Sequence, residues 1–438
     1  MAGSRQCPIV IVGAGAFGLS TALHLIQDGY TNITVFDRGD EVPSPYSAAN
    51  DLNKIMRPEY EDPFYTNLAI EAMAAWKTPL FAPYFHRTGF LHCVSGKAEQ
   101  RAKDTLQRFR KAAESHPILS KFVVPLSSRS DIQEQAWQLD GDLPGWHGYF
   151  NRFDGYTHSA DALRGIYRVL QGCGVRFFLG ESVGTVNSIV YEQSPNGKRT
   201  KGVTTKDGKI HAAELVIIAT GAKAASLVPE VGTTVEAKSW SVAHIQLTDE
   251  ETSALRGIPI VYARDLGFYF EPDPKTNLLK LCPMGGGYIN TNKETGISLP
   301  PEPINASVGF PPKEDEAKLR ELLRHTLPAL ADRPFVKKSL CWFADTVGSH
   351  FIIDYVPNSS KSVIILSGDS GHGFKMFPIV GSWVLALLGP QKTQSNEQWK
   401  WKSSKVKAGS GWGDVVSWRV GTTTEYKDIR RFKVESKL

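Results

Sequence analysis

Apolar residues run without interruption through CPIVIVGAGAFGL until three glycines break them, and LSTALHLIQDGY then places apolar side chains at helical spacing. A short apolar run bounded by glycines reads as a strand buried on both faces, and the amphipathic stretch after it as a helix ending near Gly29. NITVFD supplies a second buried strand, so the chain opens with a predicted βαβ unit. Beyond it the pattern predicts mainly helix over 60–115, a helix at DALRGIYRVLQGC and a strand at VRFFLG. Over 183–220 it becomes hairpin-like, with turns at SPNGK and KDGK ahead of the apolar strand ELVIIAT. Residues 225–340 mix short strands with one clear helix, EDEAKLRELLRHTLPAL, and the strand SVIILSG with the helix after GHGFKMFPIVGSWVLALLG resembles the opening unit.

The glycines give the opening unit a chemistry. Gly13, Gly15 and Gly18, with Ala14, Ala16 and Phe17 between them, form G-x-G-x-x-G after a strand and at the start of a helix. There the first glycine makes the turn, the second lets backbone approach a pyrophosphate, and the third lets helix and strand pack closely. The helix start adds free N–H groups and a positive dipole end. Asp37 closes the second strand, 19 residues past Gly18, where an acid binds ribose hydroxyls. Thr220 and Gly221 follow an apolar strand in an A-T-G turn of the kind found in FAD proteins of the glutathione-reductase class. With a fingerprint this close to the start of the chain, FAD is expected rather than NAD.

Bulk properties narrow the picture. A chain of 438 residues exceeds one compact core and predicts more than one domain. The net charge of +5 is small and scattered, which argues against nucleic-acid binding. The longest apolar runs fall short of the roughly 20 residues of a membrane span, and the N-terminus lacks a signal-peptide core. Five widely spaced cysteines without a CxxC pair predict free thiols. On its neighbours alone, Cys341 in KSLCWFADT can be a packing thiol, a disulfide half or a nucleophile. The chain ends Ser436, Lys437, Leu438, the address read by the peroxisomal import receptor, so a peroxisomal location is expected.

Four segments, SAANDLNKIMRPEY, FYFEPDPKTNLLKLC, SLCWFADTVGSHFIID and GDSGHGFKMFP, occur in an order that resembles the monomeric sarcosine oxidase family of flavoenzymes. That family includes pipecolate oxidases, fungal saccharopine oxidases and fructosyl amino acid oxidases (amadoriases). The resemblance spans about residues 8 to 390, and NDLNKIM and QWKWK look closest to the fungal fructosyl branch. It implies FAD attached covalently through Cys341, a bond that would raise the flavin potential. It implies Lys280 as the residue that promotes reaction with dioxygen, since a fixed ammonium stabilises developing superoxide. The apolar flanks of Lys280 predict an interior lysine, which needs a partner. Arg57 and Lys375 match a clamp for the substrate carboxylate, Lys54 a basic residue over the flavin face, and Tyr269 an aromatic lining the substrate pocket. At i and i+3, Lys54 and Arg57 are expected to share a helix face. Further cofactor contacts fall on Arg38, Ser47, Asn53, Val183, Asp369, Gly371, Gly373 and Phe374.

The departures matter. Where fructosyl amino acid oxidases carry an Asp-Glu pair, this chain has Pro283 and Met284, after Cys282 and before Gly285, Gly286 and Gly287. A histidine that sarcosine oxidases place near Met284 is also missing, and Phe343 replaces an aromatic hydroxyl found in some relatives. The resulting expectation is an α/β, two-domain fold of the α+β kind, with a Rossmann-like FAD domain of the glutathione-reductase class and an interleaved antiparallel-sheet substrate domain. Residues 1–60, 155–225 and 340–390 are assigned to the first, 61–154 and 226–339 to the second, and 391–438 to a C-terminal extension. The expected activity is oxidation of a secondary-amine α-amino acid to an imine with peroxide as co-product, by a monomer without metal. The alternatives are an amadoriase, a biosynthetic oxidase whose imine cyclises, a flavin protein without turnover, and a dehydrogenase serving a protein partner.

Overall fold

The structure is a computed structural model that describes residues 5–195, 197–302, 309, 311–402, 416, 419 and 421–429. The expected peroxisomal address, Ser436 to Leu438, lies outside the described residues. No described helix is long and apolar enough to cross a membrane.

Ile9–Val12 forms the heart of a six-stranded sheet, flanked by Ile33–Asp37 and Leu215–Ile218, with Arg176–Leu179 and Val363–Ser367 next outward. These five strands are parallel, and Ile352–Tyr355 adds an antiparallel edge. Side chains alternate across a strand, and here both sets are apolar. Ile9, Ile11, Val35, Ile217 and Ile364 pack toward the helices Ala16–Gln27, Ser159–Gly172 and Val380–Leu388. Val10, Val12, Val216, Ile218 and Ile365 pack on the opposite side with Val186 and Val203 of the hairpin strands Val186–Ser194 and Gly197–Thr205. That double burial is why the strand sequences read as continuous apolar runs.

The second sheet has ten strands. Val235–Gln246 pairs antiparallel with Leu278–Pro283, Tyr288–Ile289 and Val336–Thr346, and the sheet continues through Gly267–Tyr269, Ile260–Ala263, Phe90–Val94, His147–Asn151 and Val123–Leu126. One face packs on the helix Lys313–Thr326 through Leu319, Leu322 and Leu323. The other face carries polar and aromatic residues and looks toward the first sheet.

The predicted βαβ unit, hairpin region and late strand–helix pair all appear. The stretch 60–115 is less helical than expected, because Phe90–Val94 is a buried strand between the helices Pro63–Ala75 and Gln100–Ser115. A boundary at 340 cuts through the strand Val336–Thr346, which belongs to the second sheet along its length. The terminal extension also joins that sheet, since Thr424–Glu425 pairs with Tyr288–Ile289.

Candidate active site

A cavity of about 1040 Å³ runs between the two sheets, with the glycine loop at one end and Arg57, Tyr262, Arg264 and Lys375 at the other. Each glycine has a distinct geometry. Gly13 has φ +110°, and a Cβ there would stand 2.4 Å from Ala219 O. At Gly18 a Cβ would meet Gly13 O at 1.8 Å, so the helix packs onto the loop only without a side chain. Gly15 differs: an added Cβ would meet only Ser47 Oγ at 3.5 Å, leaving its backbone open to the cavity. No side chain caps the helix start at Gly15, so its first N–H groups remain for a ligand. The Asp37 carboxylate accepts from Ala14 N at 2.8 Å and Gly39 N at 2.9 Å, and it lines the cavity beside Arg38.

Several buried polar atoms on the cavity wall have no partner among the described residues: Arg38 Nε, Thr220 Oγ1, Asn53 Nδ2 and Oδ1, and Trp240 Nε1. Groups so placed cost free energy unless a ligand or water meets them. An elongated cavity with open glycine backbone, an unblocked helix start and such polar atoms suits a dinucleotide. Ser47, Gly221, Asp369, Gly371, Gly373 and Phe374 lie on the same wall. Asp369 accepts from Ala344 N and Gly371 N, and burial pushes its carboxyl up to about 6.

Midway, three side chains meet. Lys280 Nζ donates to Asp51 Oδ2 at 2.5 Å and to Asn53 O at 2.7 Å, and Lys54 Nζ reaches the same Asp51 oxygen at 2.7 Å. Burial would raise the Asp51 pKa, but Lys280 and then Lys54 outweigh it and hold the carboxyl below the usual range. Asp51 is therefore the partner the interior lysine required, and sequence reasoning missed it. The signal was present, since Asp51 stands three residues before Lys54. Cys341 Sγ is 3.9 Å from Lys54 Nζ and 3.6 Å from Ala48 O on the cavity wall. Burial raises its thiol pKa, opposed by Lys54. All five cysteines are free.

At the far end Arg57 Nη1 donates to Glu59 O at 2.7 Å, and its guanidinium lies 4.5 Å from the Phe109 ring centroid. Lys375 Nζ donates to Arg57 O at 2.9 Å and sits 4.6 Å over Tyr60. Burial and the Arg57 charge depress the Lys375 pKa well below its ordinary value. Arg57 and Lys375 both line the cavity. Lys54 and Arg57 do not share a helix face. Lys54–Met56 is a strand paired with Gly155–Thr157, because Pro58 disfavours helix at Arg57. Lys54 turns to Asp51 while Arg57 faces the other end.

Two expected contacts shift. Tyr269 is fully buried in the core behind the second sheet, while Phe268 and Phe270 line the cavity. Strand alternation decides this: Tyr262, Lys280 and Cys282 face the cavity while Val261, Ala263, Leu279 and Leu281 face the core. Val183 is 37% exposed and lies outside the lining, which passes through Gly184, Thr185 and Val186. Cys282, Pro283, Met284 and Gly285 do line the cavity, and no glutamate does among the described residues. Phe343 packs 4.4 Å from Trp240 by ring centroids.

Residues 8–387 match the family described as FAD dependent oxidoreductase. The chain is 34% identical to the L-saccharopine oxidase of Schizosaccharomyces pombe over 96% of this chain and 98% of that protein. It is 24% identical to a monomeric sarcosine oxidase of Bacillus sp., over 89% of this chain and 94% of that one. The solved structure of the deglycating fructosamine oxidase Amadoriase II from Aspergillus fumigatus superposes with a TM-score of 0.86 at 33% identity, covering 98% of this chain and 97% of that one. The glycine loop, the two-sheet cavity and the matched length agree, and the chain belongs to the FAD dependent oxidoreductase family.

Proposed function

We propose that this protein oxidises secondary-amine α-amino acids to imines, passes the electrons to dioxygen as hydrogen peroxide, and carries its FAD on Cys341. The single observation behind this reading is the linear order of one cavity: dinucleotide loop, then Cys341 with the Lys280–Asp51–Lys54 cluster, then the Arg57–Lys375 pair. The names of the relatives, a saccharopine oxidase and a sarcosine oxidase, support a secondary amine as donor. The absence of a glutamate from the described lining speaks against a sugar-bearing substrate.

The glycine loop, Asp37, Thr220 and Asn53 would hold FAD, with Cys341 as its covalent anchor. Bound FAD supplies a two-electron acceptor for the C–N bond. Arg57 and Lys375 hold the carboxylate and so fix the carbon beside the nitrogen, and positioning of this kind supplies much of a rate. Phe268, Phe270 and Tyr262 keep water from that carbon. Lys280, paired with Asp51, offers fixed positive charge to reduced oxygen species. The neutral amine is the reactive form, so the rate rises with pH until the substrate is deprotonated. The tail Ser436–Leu438 directs the enzyme to peroxisomes, where peroxide is removed.

The test is peroxide release from a panel of sarcosine, N-methyl amino acids, L-pipecolate, L-saccharopine and a fructosyl amino acid. Turnover of the fructosyl compound alone would overturn the substrate reading. Acid precipitation tests the anchor: the wild-type pellet stays yellow and the Cys341→Ser pellet is colourless.

A further inference from the structure

Near the Arg57–Lys375 pair lie two carboxyl groups that the mechanism does not use. Glu59 sits in the loop between the strand Lys54–Met56 and the helix Pro63–Ala75, and Asp154 in the turn between His147–Asn151 and Gly155–Thr157. Both are 0% exposed, and neither lines the cavity. One of their four oxygens has a donor: Asn151 Nδ2 donates to Glu59 Oε1 at 2.8 Å. That amide is held in its orientation because Asn151 Oδ1 accepts from Phe153 N at 3.0 Å. Glu59 Oε2 and both Asp154 oxygens have no donor among the described residues.

A buried carboxylate without donors is costly, and two that meet do not both ionise. The Asp154 and Glu59 carboxyls are within hydrogen-bonding reach of each other, a contact that only a proton between them makes attractive. Burial, and then the Glu59 carboxyl, push the Asp154 pKa well above its ordinary value, against the pull of Arg57 and Lys375. The two acids act on the cations in turn. Glu59 favours the charged form of Arg57, and both acids oppose the burial and the Arg57 charge that depress the Lys375 pKa. The backbone of the same loop ties these groups together, since Arg57 Nη1 donates to Glu59 O and Lys375 Nζ to Arg57 O. Tyr60 and Tyr149 also face the acids, and burial raises both phenols. His372 faces Lys375, and burial with the Lys375 charge lowers it to about 3.

We infer that Glu59 and Asp154 share one proton and act together as a single buried counter-charge that keeps Lys375 cationic beside Arg57, ready for a carboxylate. This rests on the clamp in the reading above and deepens it. Glu59 and Asp154 are positioning residues: they touch no ligand and work through Lys375. One negative charge offsets the mutual repulsion of the two cations without cancelling both, so an incoming carboxylate still finds positive charge. Asn151 supports the arrangement by giving Glu59 a neutral donor, which leaves the dyad charge unaltered.

The experiment measures propionate affinity of the oxidised holoenzyme from its flavin absorbance, from about pH 6 to 10. It needs no turnover, so it fails separately from the oxidase reading. Wild-type affinity is expected to fall on the alkaline side as Lys375 loses its proton. An amide mimics an un-ionised acid, so Asp154→Asn and Glu59→Gln each keep one negative charge and should hold that fall at the same pH, with affinity within about twofold. The double variant Glu59→Gln/Asp154→Asn removes the charge. Its fall should move at least about one unit toward acid, weakening binding roughly tenfold there, while at the acid end it binds as well as the wild type or better. A single variant that shifts the profile as far as the double overturns the shared proton. An unshifted double variant, or one weakened equally at every pH, overturns the counter-charge and leaves the acids a role in folding alone. If the double variant does not fold, the infrared difference between wild type and Asp154→Asn at about pH 8 decides: the carbonyl band of an un-ionised acid is expected in the wild type, and its absence overturns the inference. No propionate binding by the wild type at any pH would remove the clamp, and this inference with it, while peroxide release from amines would still test the oxidase reading.

Discussion

Lysines and arginines are buried at two places in one cavity, and they are held in different ways. At the flavin end Lys280 and Lys54 converge on one carboxylate, Asp51, so that each buried ammonium has a direct ion pair. At the far end Arg57 and Lys375 donate to backbone carbonyls and lie against aromatic rings, with the buried carboxyls of Glu59 and Asp154 acting on them from farther off. The first arrangement is built to keep its charges whatever binds. The second orients Arg57 and Lys375 through dipoles and rings, and their carboxyl neighbours make no direct ion pair with them among the described residues.

Removing the shared acid should have the largest effect. Asp51→Leu leaves two ammonium groups buried together and is expected to lower stability by about 3–5 kcal/mol in chemical denaturation. A loss below 1 kcal/mol would show that the flavin end does not depend on its internal pair. At the other end Arg57→Met should leave the unfolding midpoint nearly unchanged and reduce kcat/KM for amino acid substrates by roughly 10²–10³-fold. If the stability loss matched that of Asp51→Leu, the contrast between the two ends would fail.

The next prediction concerns pH. Burial lowers the His244 pKa to about 4, and His244 lines the cavity near Lys280, with Nδ1 3.2 Å from Lys337 O. Above pH 6.5 the ring is neutral whether folded or not. As pH falls from 6.5 toward 4 the unfolded chain takes up a proton that the folded chain refuses. Stability therefore declines by up to about 1.4 kcal/mol per pH unit from this group. His244→Asn should flatten the stability profile across that window, and equal profiles for wild type and variant would exclude His244 as its source. The smallest effect is expected from Tyr60→Phe, which removes the bond between Tyr60 OH and His372 Nδ1 at 3.0 Å but keeps the ring under Lys375. About 1 kcal/mol of stability is expected to be lost, with kcat changed less than in Arg57→Met.

Much of this architecture was legible along the chain. The βαβ opening, the hairpin region and the late strand–helix pair follow from local apolar periodicity, which backbone geometry converts directly into helix or strand. The glycine fingerprint was equally local, since each glycine answers to contacts within its own loop or the strand beside it. The strand Phe90–Val94 was hidden because a buried strand flanked by two helices has no alternation of its own. Tyr269 was misplaced for a related reason. FYF reads alike on both faces, and only the register of Gly267–Tyr269 against Leu278–Pro283 turns Tyr269 inward to the core.

The sequence by itself determined the class of fold, the place where a dinucleotide sits and the identity of Cys341, Lys280, Arg57 and Lys375 as candidates, because short motifs and periodicity carry that information. Only the tertiary structure decided the grouping: Asp51 with lysines 3 and 229 residues away, and Glu59 with Asp154 beside the Arg57–Lys375 pair. Charge in a buried site is settled by what stands within a few ångströms, and chain folding sets that neighbourhood through pairings no local pattern records.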